Sequence, residues 1–176
     1  MKDRKLLNIE LGRISPSQFG EVPPSGIVLI LDNIRSAHNV GSAFRTADAF
    51  HADKVYLCGI CAVPPSAEIH KSALGAEDVV PWEHADDTLT VVERLHRDGY
   101  TVVSVEQTVH SVKLPDFRPD PSCRYALVFG NEVSGVQQSV VDASDFALEI
   151  PQRGTKHSLN VSVSVGVVLW ELVRRV

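Results

Sequence analysis

Short, continuous apolar runs recur along this chain and alternate with segments in which apolar residues have helical spacing. Residues 27–31 read IVLIL, which is typical of a strand buried on both faces. The same pattern predicts four further strands, over residues 54–58, 100–105, 124–129 and 146–150. Helices are predicted between them, over residues 39–50, 66–74, 86–98 and about 136–142. This alternation predicts an α/β fold with a mostly parallel sheet that helices cover on both faces.

The C-terminal segment gives two conflicting signals. Residues 160–165 (NVSVSV) alternate polar and apolar side chains, which indicates a half-buried strand. Residues 166–176 (GVVLWELVRRV) instead place apolar side chains on one side of a helix. Periodicity alone therefore predicts a strand followed by a helix.

The length of 176 residues suits one domain whose core needs neither disulfides nor metals. Three cysteines are too few for a disulfide framework, and the pair Cys58 and Cys61 has no second pair to complete a zinc site. We expect that pair to be small apolar residues at a strand end, and we expect no metal site. No apolar run approaches the ~20 residues of a membrane span, and the polar residues 1–13 do not resemble a secretory signal. We therefore expect a cytoplasmic protein that does not associate with membranes.

The formal net charge of −5 counts against nucleic-acid binding on average, because phosphate contacts need Lys and Arg. Binding depends on local patches, however, and basic residues cluster near the start, around Lys71, over residues 153–157 and at the end. Each cluster taken alone also fits an ordinary solvated surface.

Polar clusters follow three of the predicted strands, where ligands bind in open parallel sheets. In residues 33–45, Asn39 and Gly41 are expected at a helix N-terminus whose backbone amides favour an anion, and Arg45 lies farther along that helix. Residues 129–135 hold Glu132 between two glycines, which allow a ligand to approach the backbone closely. This stretch matches neither G-x-G-x-x-G nor the P-loop, so a dinucleotide or a nucleoside triphosphate is disfavoured.

The third cluster, residues 150–160, is a polar loop rich in hydrogen-bond donors. Ser158 and Asn160 open the last apolar segment, and Ser158 alone would also serve as a helix N-cap. A serine hydrolase is disfavoured, because His157 and Ser158 are adjacent but no G-x-S-x-G elbow exists.

Taken in order, the three clusters resemble motifs 1, 2 and 3 of the SPOUT superfamily of RNA methyltransferases, in its SpoU (TrmH-like) branch. The resemblance covers about residues 26–176 and leaves residues 1–25 as a short N-terminal extension. It implies an α/β fold whose C-terminal part forms a deep trefoil knot. It also implies one continuous helix after Asn160, which overrides the strand that periodicity predicts over residues 160–165.

The resemblance implies that S-adenosylmethionine binds in the knot, held largely by main-chain groups. The matching positions for this cofactor are Glu106, Gly130, Ile150 and Leu159. Arg45 matches the catalytic arginine of the family, and the other polar motif residues, expected to shape the site and orient Arg45 and the ribose, are Asn39, Glu132, Ser158 and Asn160. We favour electrostatic stabilisation by Arg45 and leave its action as a base open.

The activity that the resemblance implies is methylation of a ribose 2′-hydroxyl in tRNA or rRNA. It further implies a homodimer with the last helix near the interface. We expect RNA contacts from Arg153, Lys156 and Lys71, and no DNA substrate. Two alternatives stay open: a methyltransferase that acts on an RNA base, as in other SPOUT branches, and a non-catalytic RNA-binding protein with the same fold.

Overall fold

The computed structural model describes residues 3–175, so the predicted helix end at Val176 lies outside the described residues, as do Met1 and Lys2. Seven strands of the described chain form one sheet, and every pairing in it is parallel. The strands are β1 Ile27–Asp32, β2 Lys54–Cys58, β3 Trp82–Ala85, β4 Tyr100–Val105, β5 Val112–Lys113, β6 Arg124–Gly130 and β7 Phe146–Glu149. Their order across the sheet is β3-β2-β1-β6-β4-β7-β5.

Helices cover both faces of this sheet, as predicted. The α-helices are α1 Ala37–Ala49, α2 Ala67–Ala73, α3 Thr88–Arg97, α4 Gln138–Ala143 and α5 Val161–Val173. Three short 3-10 helices span Asn8–Leu11, Pro16–Glu21 and Ala76–Asp78. None of the helices in residues 3–175 combines the length and the apolarity needed to cross a bilayer.

The two layers of the core follow from the alternation of side chains along the central strands. In β1, Ile27, Leu29 and Leu31 pack with α1, α2 and α5. The intervening Val28 and Ile30 pack with α3 and α4 on the other face. Because both faces are buried, the strand reads as an unbroken apolar run, which is the pattern that predicted it.

Two strands, β3 and β5, were not predicted from the sequence, and both lie at the edges of the sheet. β3 pairs with β2 alone, and its four residues are half-buried or exposed. β5 has two exposed residues and pairs with β7 alone. Edge strands with one neighbour bury too little surface to show an apolar run.

The strand predicted from periodicity over residues 160–165 is wrong, and the single helix implied by the family resemblance is confirmed. The N-cap of α5 is Asn160 rather than Ser158, and Asn160 Oδ1 accepts a hydrogen bond of 2.9 Å from the Ser162 amide. The helix packs on α1 and β6 and buries residues at helical spacing, namely Val161, Val165, Val168, Leu169 and Leu172. This packing outweighs the preference of valine for strands, which is a weak intrinsic term. The trefoil knot stays a prediction.

Candidate active site

The carboxyl ends of β4, β6 and β7 surround a cavity of about 250 Å³ that the start of α5 closes. Its lining contains all four positions predicted to hold a cofactor, which are Glu106, Gly130, Ile150 and Leu159. Glu132 and Ser158 line the same cavity. Sequence motifs 2 and 3 therefore meet at one place, beyond the strand ends where ligands bind in parallel sheets.

The loop at residues 130–136 folds back on itself and forms one wall of the cavity. The Asn131 amide donates to the Gly135 carbonyl over 3.2 Å, and the Gly135 amide donates back to the Asn131 carbonyl over 2.9 Å. A Cβ atom at Gly130 would lie 2.0 Å from the Gly135 carbonyl carbon and 2.0 Å from the Val136 nitrogen. Only glycine fits at residue 130, which leaves main-chain atoms at the cavity wall.

Glu106 lines the cavity as predicted, and its side chain also holds this loop. Its Oε2 accepts a hydrogen bond of 3.0 Å from the Val136 amide, and its Oε1 accepts one of 2.8 Å from the Gln107 amide. The sequence prediction gave Glu106 a main-chain contact with the cofactor. The sequence located Glu106 directly after a buried strand, but it did not show which groups the Glu106 carboxylate binds.

Main-chain groups on the opposite wall are free to bind a ligand. Within residues 3–175, the amides of Ile150 and Leu159 donate to no protein acceptor. Gln107 Nε2 donates to the His157 carbonyl over 2.7 Å and holds the exposed segment 151–160 near the end of β4. An adenine edge needs one donor and one acceptor at fixed positions, so this set of main-chain groups fits the predicted S-adenosylmethionine.

A hydrogen-bonded chain of three side chains joins the three sequence motifs. Asn39 Nδ2 donates to Glu132 Oε1, 93 residues away. Asn160 Nδ2 donates to Asn39 Oδ1 over 3.1 Å, across 121 residues. Asn39 is only 7% exposed, so its amide is the buried centre of this network. The structure thus brings together three of the residues predicted to shape the site.

Arg45 lies apart from this network. It is exposed on α1 and lines a separate groove between α1, α2 and α5, together with His38, Lys71 and Ser162. None of the hydrogen bonds found in residues 3–175 involves the Arg45 guanidinium. The prediction that Asn39, Glu132 and their neighbours orient Arg45 is therefore not supported by any contact within one described chain.

The three residues predicted to contact RNA lie in two places. Arg153 and Lys156 are exposed on the segment that borders the cavity. Lys71 lies on α2 beside Arg45, in the groove, and forms an exposed ion pair with Glu68. Such a pair contributes little stability, so Lys71 can exchange Glu68 for a phosphate at small cost.

At the start of α1 the structure places Asn39 in the first turn, as predicted, but Gly41 inside the helix, and the anion site there stays a prediction. The helix begins at Ala37, and Ser36 Oγ accepts a hydrogen bond of 3.3 Å from the Asn39 amide. Gly41 faces α2 instead of a ligand, since a Cβ there would lie 2.2 Å from Ser72 Oγ and 2.3 Å from the Ile69 carbonyl oxygen. This glycine serves the close packing of two helices.

The cysteine pair is structural, as predicted. Both thiols are free and buried, and burial raises the pKa of Cys58 to about 12 and that of Cys61 to about 11. Cys61 Sγ donates to the Leu31 carbonyl over 3.1 Å and accepts from the Ile34 amide over 3.1 Å. Thiols held in the protonated state by burial are poor nucleophiles and poor metal ligands.

One group of potential metal ligands lies away from the cavity, where His70, Glu77 and Asp78 place ligand atoms within 4.8 Å of one another. Glu77 Oε1 contacts the His70 ring nitrogen at 2.6 Å, and Glu77 Oε2 accepts from the Gly75 amide over 3.0 Å. Both carboxylate oxygens therefore have protein partners, and a metal ion would have to displace them.

Comparison with known proteins identifies the family. The model of the SpoU rRNA Methylase family matches residues 26–170. The 23S rRNA (guanosine-2′-O-)-methyltransferase RlmB of Nitrosomonas europaea is 35% identical over 153 residues, which are 85% of this chain and 56% of that protein. This chain thus spans little more than half the length of that relative.

Solved structures agree. The TrmH/SpoU tRNA modifying enzyme of A. aeolicus superposes with a TM-score of 0.79 at 25% identity, over 91% of this chain and 81% of the other. The AdoMet-bound rRNA methyltransferase of Sinorhizobium meliloti gives a TM-score of 0.79 at 28% identity, over 93% of this chain and 61% of the other.

The family match includes all three polar clusters, and the fold places two of them on one cavity and joins all three by hydrogen bonds. The resemblance inferred from the motifs is confirmed: this chain belongs to the SpoU rRNA methylase family.

Proposed function

We propose that this chain transfers a methyl group from S-adenosylmethionine to a ribose 2′-hydroxyl of tRNA or rRNA. The observation that carries the proposal is the cavity at the ends of β4, β6 and β7, bordered by the Glu132–Asn39–Asn160 network. The names of related proteins support it, since RlmB is a 23S rRNA guanosine-2′-O-methyltransferase.

The cofactor would be held by the main chain at Gly130, Ile150 and Leu159, with Glu106 fixing the loop that presents Gly130. When bound, S-adenosylmethionine supplies a methyl group on a positively charged sulfur. The close approach of the 130–136 loop to itself admits only glycine at residue 130, so no side chain projects from that part of the wall. No metal takes part in this proposal.

We propose that Arg45 acts on the ribose bound at the partner chain of the dimer proposed below, because its groove is separate from the cavity of its own chain. The 2′-oxygen would bond to the methyl carbon as the carbon–sulfur bond breaks, S-adenosylhomocysteine would leave, and the hydroxyl proton would pass to solvent. Negative charge develops on the 2′-oxygen as its proton departs. An arginine keeps its own proton, so its role is to stabilise that charge or to hold a neighbouring phosphate. Its groove also contains Lys71 and His38, a set of side chains that suits the RNA backbone. Ser158 lines the cavity and would position the ribose.

RNA would extend from this groove across the exposed segment that carries Arg153 and Lys156. These local cations would bind phosphate although the chain as a whole carries a net charge of −5. The boundary between an N-terminal extension of residues 1–25 and a catalytic domain from residue 26 onward is part of the same proposal, supported by the start of the family match at residue 26. A cytoplasmic location, where tRNA and ribosomes are found in bacteria, also stays a prediction.

We propose in addition that the chain forms a homodimer through α5. Four apolar side chains on one side of this helix are partly or largely exposed, namely Val163, Val167, Trp170 and Val173. Trp170 is 58% exposed, and its ring centroid lies 6.2 Å from that of Phe50. A contiguous apolar patch of this kind is typical of an interaction surface.

The test is a transfer assay with methyl-labelled S-adenosylmethionine, a chelator and unmodified tRNA or rRNA in separate reactions. The RNA is digested and its nucleosides are separated by mass spectrometry. We expect label on a ribose-methylated nucleoside from one of the two RNA classes. Label on a base would identify a base methyltransferase instead, and cofactor binding with no transfer to either RNA would favour the non-catalytic reading. Calorimetry that detects no cofactor binding at millimolar concentration would overturn the proposal altogether.

A further inference from the structure

Asp32, the last residue of β1, is a buried charged side chain with no role in the function described so far. It is 0% exposed, and no ion pair within residues 3–175 includes it. A carboxylate without a counter-ion in the protein interior is costly unless hydrogen-bond donors surround it. The hydrogen-bond donors around Asp32 therefore identify the segments that its carboxylate positions.

Four hydrogen bonds converge on this carboxylate. Oδ1 accepts from Thr88 Oγ1 over 2.6 Å, from Gln137 Nε2 over 2.8 Å and from Asn33 Nδ2 over 2.9 Å. Oδ2 accepts from the Gln137 main-chain amide over 2.9 Å. Two of the four bonds thus go to one residue, which lies 105 positions away in sequence.

Gln137 is the residue at which the cavity loop ends and α4 begins. The loop leaves the sheet at Gly130, which is the register partner of Asp32 between β1 and β6. It returns at Gln137 to the side chain of the same Asp32. One residue therefore fixes the start of the loop through strand pairing and its end through the carboxylate.

Between these two points the loop carries the groups that face the cavity. Gly130 forms the wall, Glu132 reaches Asn39, and the Val136 amide donates to Glu106. The span of this loop is set by Asp32 on one side and Glu106 on the other. Releasing the Gln137 amide would allow residues 131–136 to move while the sheet and the helices stay in place.

We infer that Asp32 is a positioning residue that holds residues 130–137 in the conformation that binds the cofactor. The inference rests on the proposed function for the identity of the ligand, and on the geometry alone for the control of the loop.

The decisive variant is Asp32→Asn. Its amide oxygen can occupy the place of Oδ1 and keep three donors, but its NH₂ group then faces the N–H of Gln137, so the bond to the loop is lost. We expect the dissociation constant for S-adenosylhomocysteine to rise at least about tenfold, since the part-buried main-chain amide of Gln137 loses its acceptor and no longer holds the loop. We also expect faster hydrogen exchange of the 131–137 amides in the protein without ligand.

Thr88→Val is the matched control for stability. It removes a donor from the same carboxylate on the side of α3, away from the loop. If Asp32 merely stabilises the core, D32N and T88V should both lower the melting temperature. Cofactor affinity and the hydrogen exchange of the loop should then stay at their wild-type values in both variants. We expect T88V to lower the melting temperature only.

Gln137→Ala decides the matter if D32N fails to fold. Gln137 is exposed, and this change removes its Nε2 but keeps its main-chain amide, so we expect a weakening of roughly threefold. Gln138→Ala is its control, because Gln138 is exposed and its side chain donates a hydrogen bond to Asp142 on the same helix, away from Asp32. Wild-type affinity and wild-type loop exchange in both D32N and Q137A would overturn the inference. Absence of cofactor binding by the wild type would overturn the proposed function, and loop exchange in D32N would still test the role of Asp32.

Discussion

At the scale of single residues, the site depends on the side-chain amide of Asn39, which donates one hydrogen bond and accepts another. Asn39 donates to Glu132 and accepts from Asn160, so its side chain needs a donor and an acceptor at once. Only an amide side chain of this length supplies both without a charge. The sequence named all three residues as polar members of their motifs, but it could not show that they bond to one another.

Replacing Asn39 with Asp tests this polarity. In N39D the contact with Glu132 becomes a contact between two carboxylates, which repel each other while both are charged. We expect a loss of about 1–2 kcal/mol in unfolding free energy at neutral pH, and a smaller loss near about pH 5, where one of the two carboxylates takes up a proton more readily.

The control exchanges donor and acceptor across the pair. In the double variant N39D/E132Q the glutamine amide donates to the new carboxylate, so most of the lost stability should return. The unfolding free energies of the wild type, N39D and N39D/E132Q are measured by urea denaturation at both pH values. Equal losses at the two pH values, with no recovery in the double variant, would show that the contact does not contribute to stability.

Arg45 gives the second prediction at this scale. The side chain is exposed, so Arg45→Ala should leave the melting temperature and cofactor affinity nearly unchanged. Methyl transfer should fall by at least about a hundredfold, the scale of losing one donor that acts on the transition state. Arg45→Lys should fail as well, because a point charge does not reproduce the planar guanidinium.

The matched control is Arg97→Ala, which removes an exposed arginine from α3, on the other face of the sheet. Transfer rates of the three variants are measured at saturating cofactor. An Arg45→Ala protein that keeps more than half of the wild-type rate would remove Arg45 from the mechanism.

At the scale of elements, the loop after β6 shows how a short segment with two glycines can build a binding wall. Its residues lie between a strand and a helix whose positions the sheet fixes, and its own bridge between Asn131 and Gly135 closes it. The sequence showed two glycines and an acid at a strand end. It could not show that the loop folds onto itself and that its Val136 amide donates a hydrogen bond to the Glu106 carboxylate.

Gly130→Ala tests the loop. The added Cβ would meet the Gly135 and Val136 main chain at 2.0 Å, so the loop has to open. We expect cofactor binding to weaken at least about a hundredfold, because main-chain groups at the wall are displaced. Gly154→Ala is the control, since a Cβ there meets nothing within 4 Å, and it should bind the cofactor like the wild type. Calorimetry with S-adenosylhomocysteine compares the two, and equal affinities would show that the loop is not part of the cofactor site.

At the scale of the whole molecule, two adjacent residues of the last helix have opposite environments, one in the core and one on the surface. Leu169 is 0% exposed, whereas Trp170 is 58% exposed. A charge at residue 169 would damage the core of one chain, while a charge at residue 170 reaches only the exposed side of the helix. The proposed dimer can therefore be tested without unfolding the protein.

Sedimentation equilibrium at micromolar concentration is the measurement. We expect the wild type at twice the chain mass of 19.2 kDa, and Trp170→Glu at the mass of one chain with its secondary structure intact. Burial of several apolar side chains of α5 in an interface would account for the difference. Arg97→Ala, on the opposite face of the sheet, should stay dimeric. A wild-type protein that sediments as a single chain would contradict the dimer.

The sequence by itself determined the fold class, the strands buried on both faces, the helices between them and the three motifs that identify the family. Those features are local: an apolar run, a helical spacing and a strand-end motif are each contained in a few neighbouring residues. Periodicity indicated a strand over residues 160–165, and the tertiary structure decided for the helix from Val161 onward that the family resemblance implied. The tertiary structure alone decided that β3 and β5 join the sheet and that Arg45 lies in a groove apart from the cavity. It also decided the partners of Asp32, Glu106 and Asn39, because those hydrogen bonds join residues from about 30 to about 120 positions apart, and only the packing of the sheet brings such residues together.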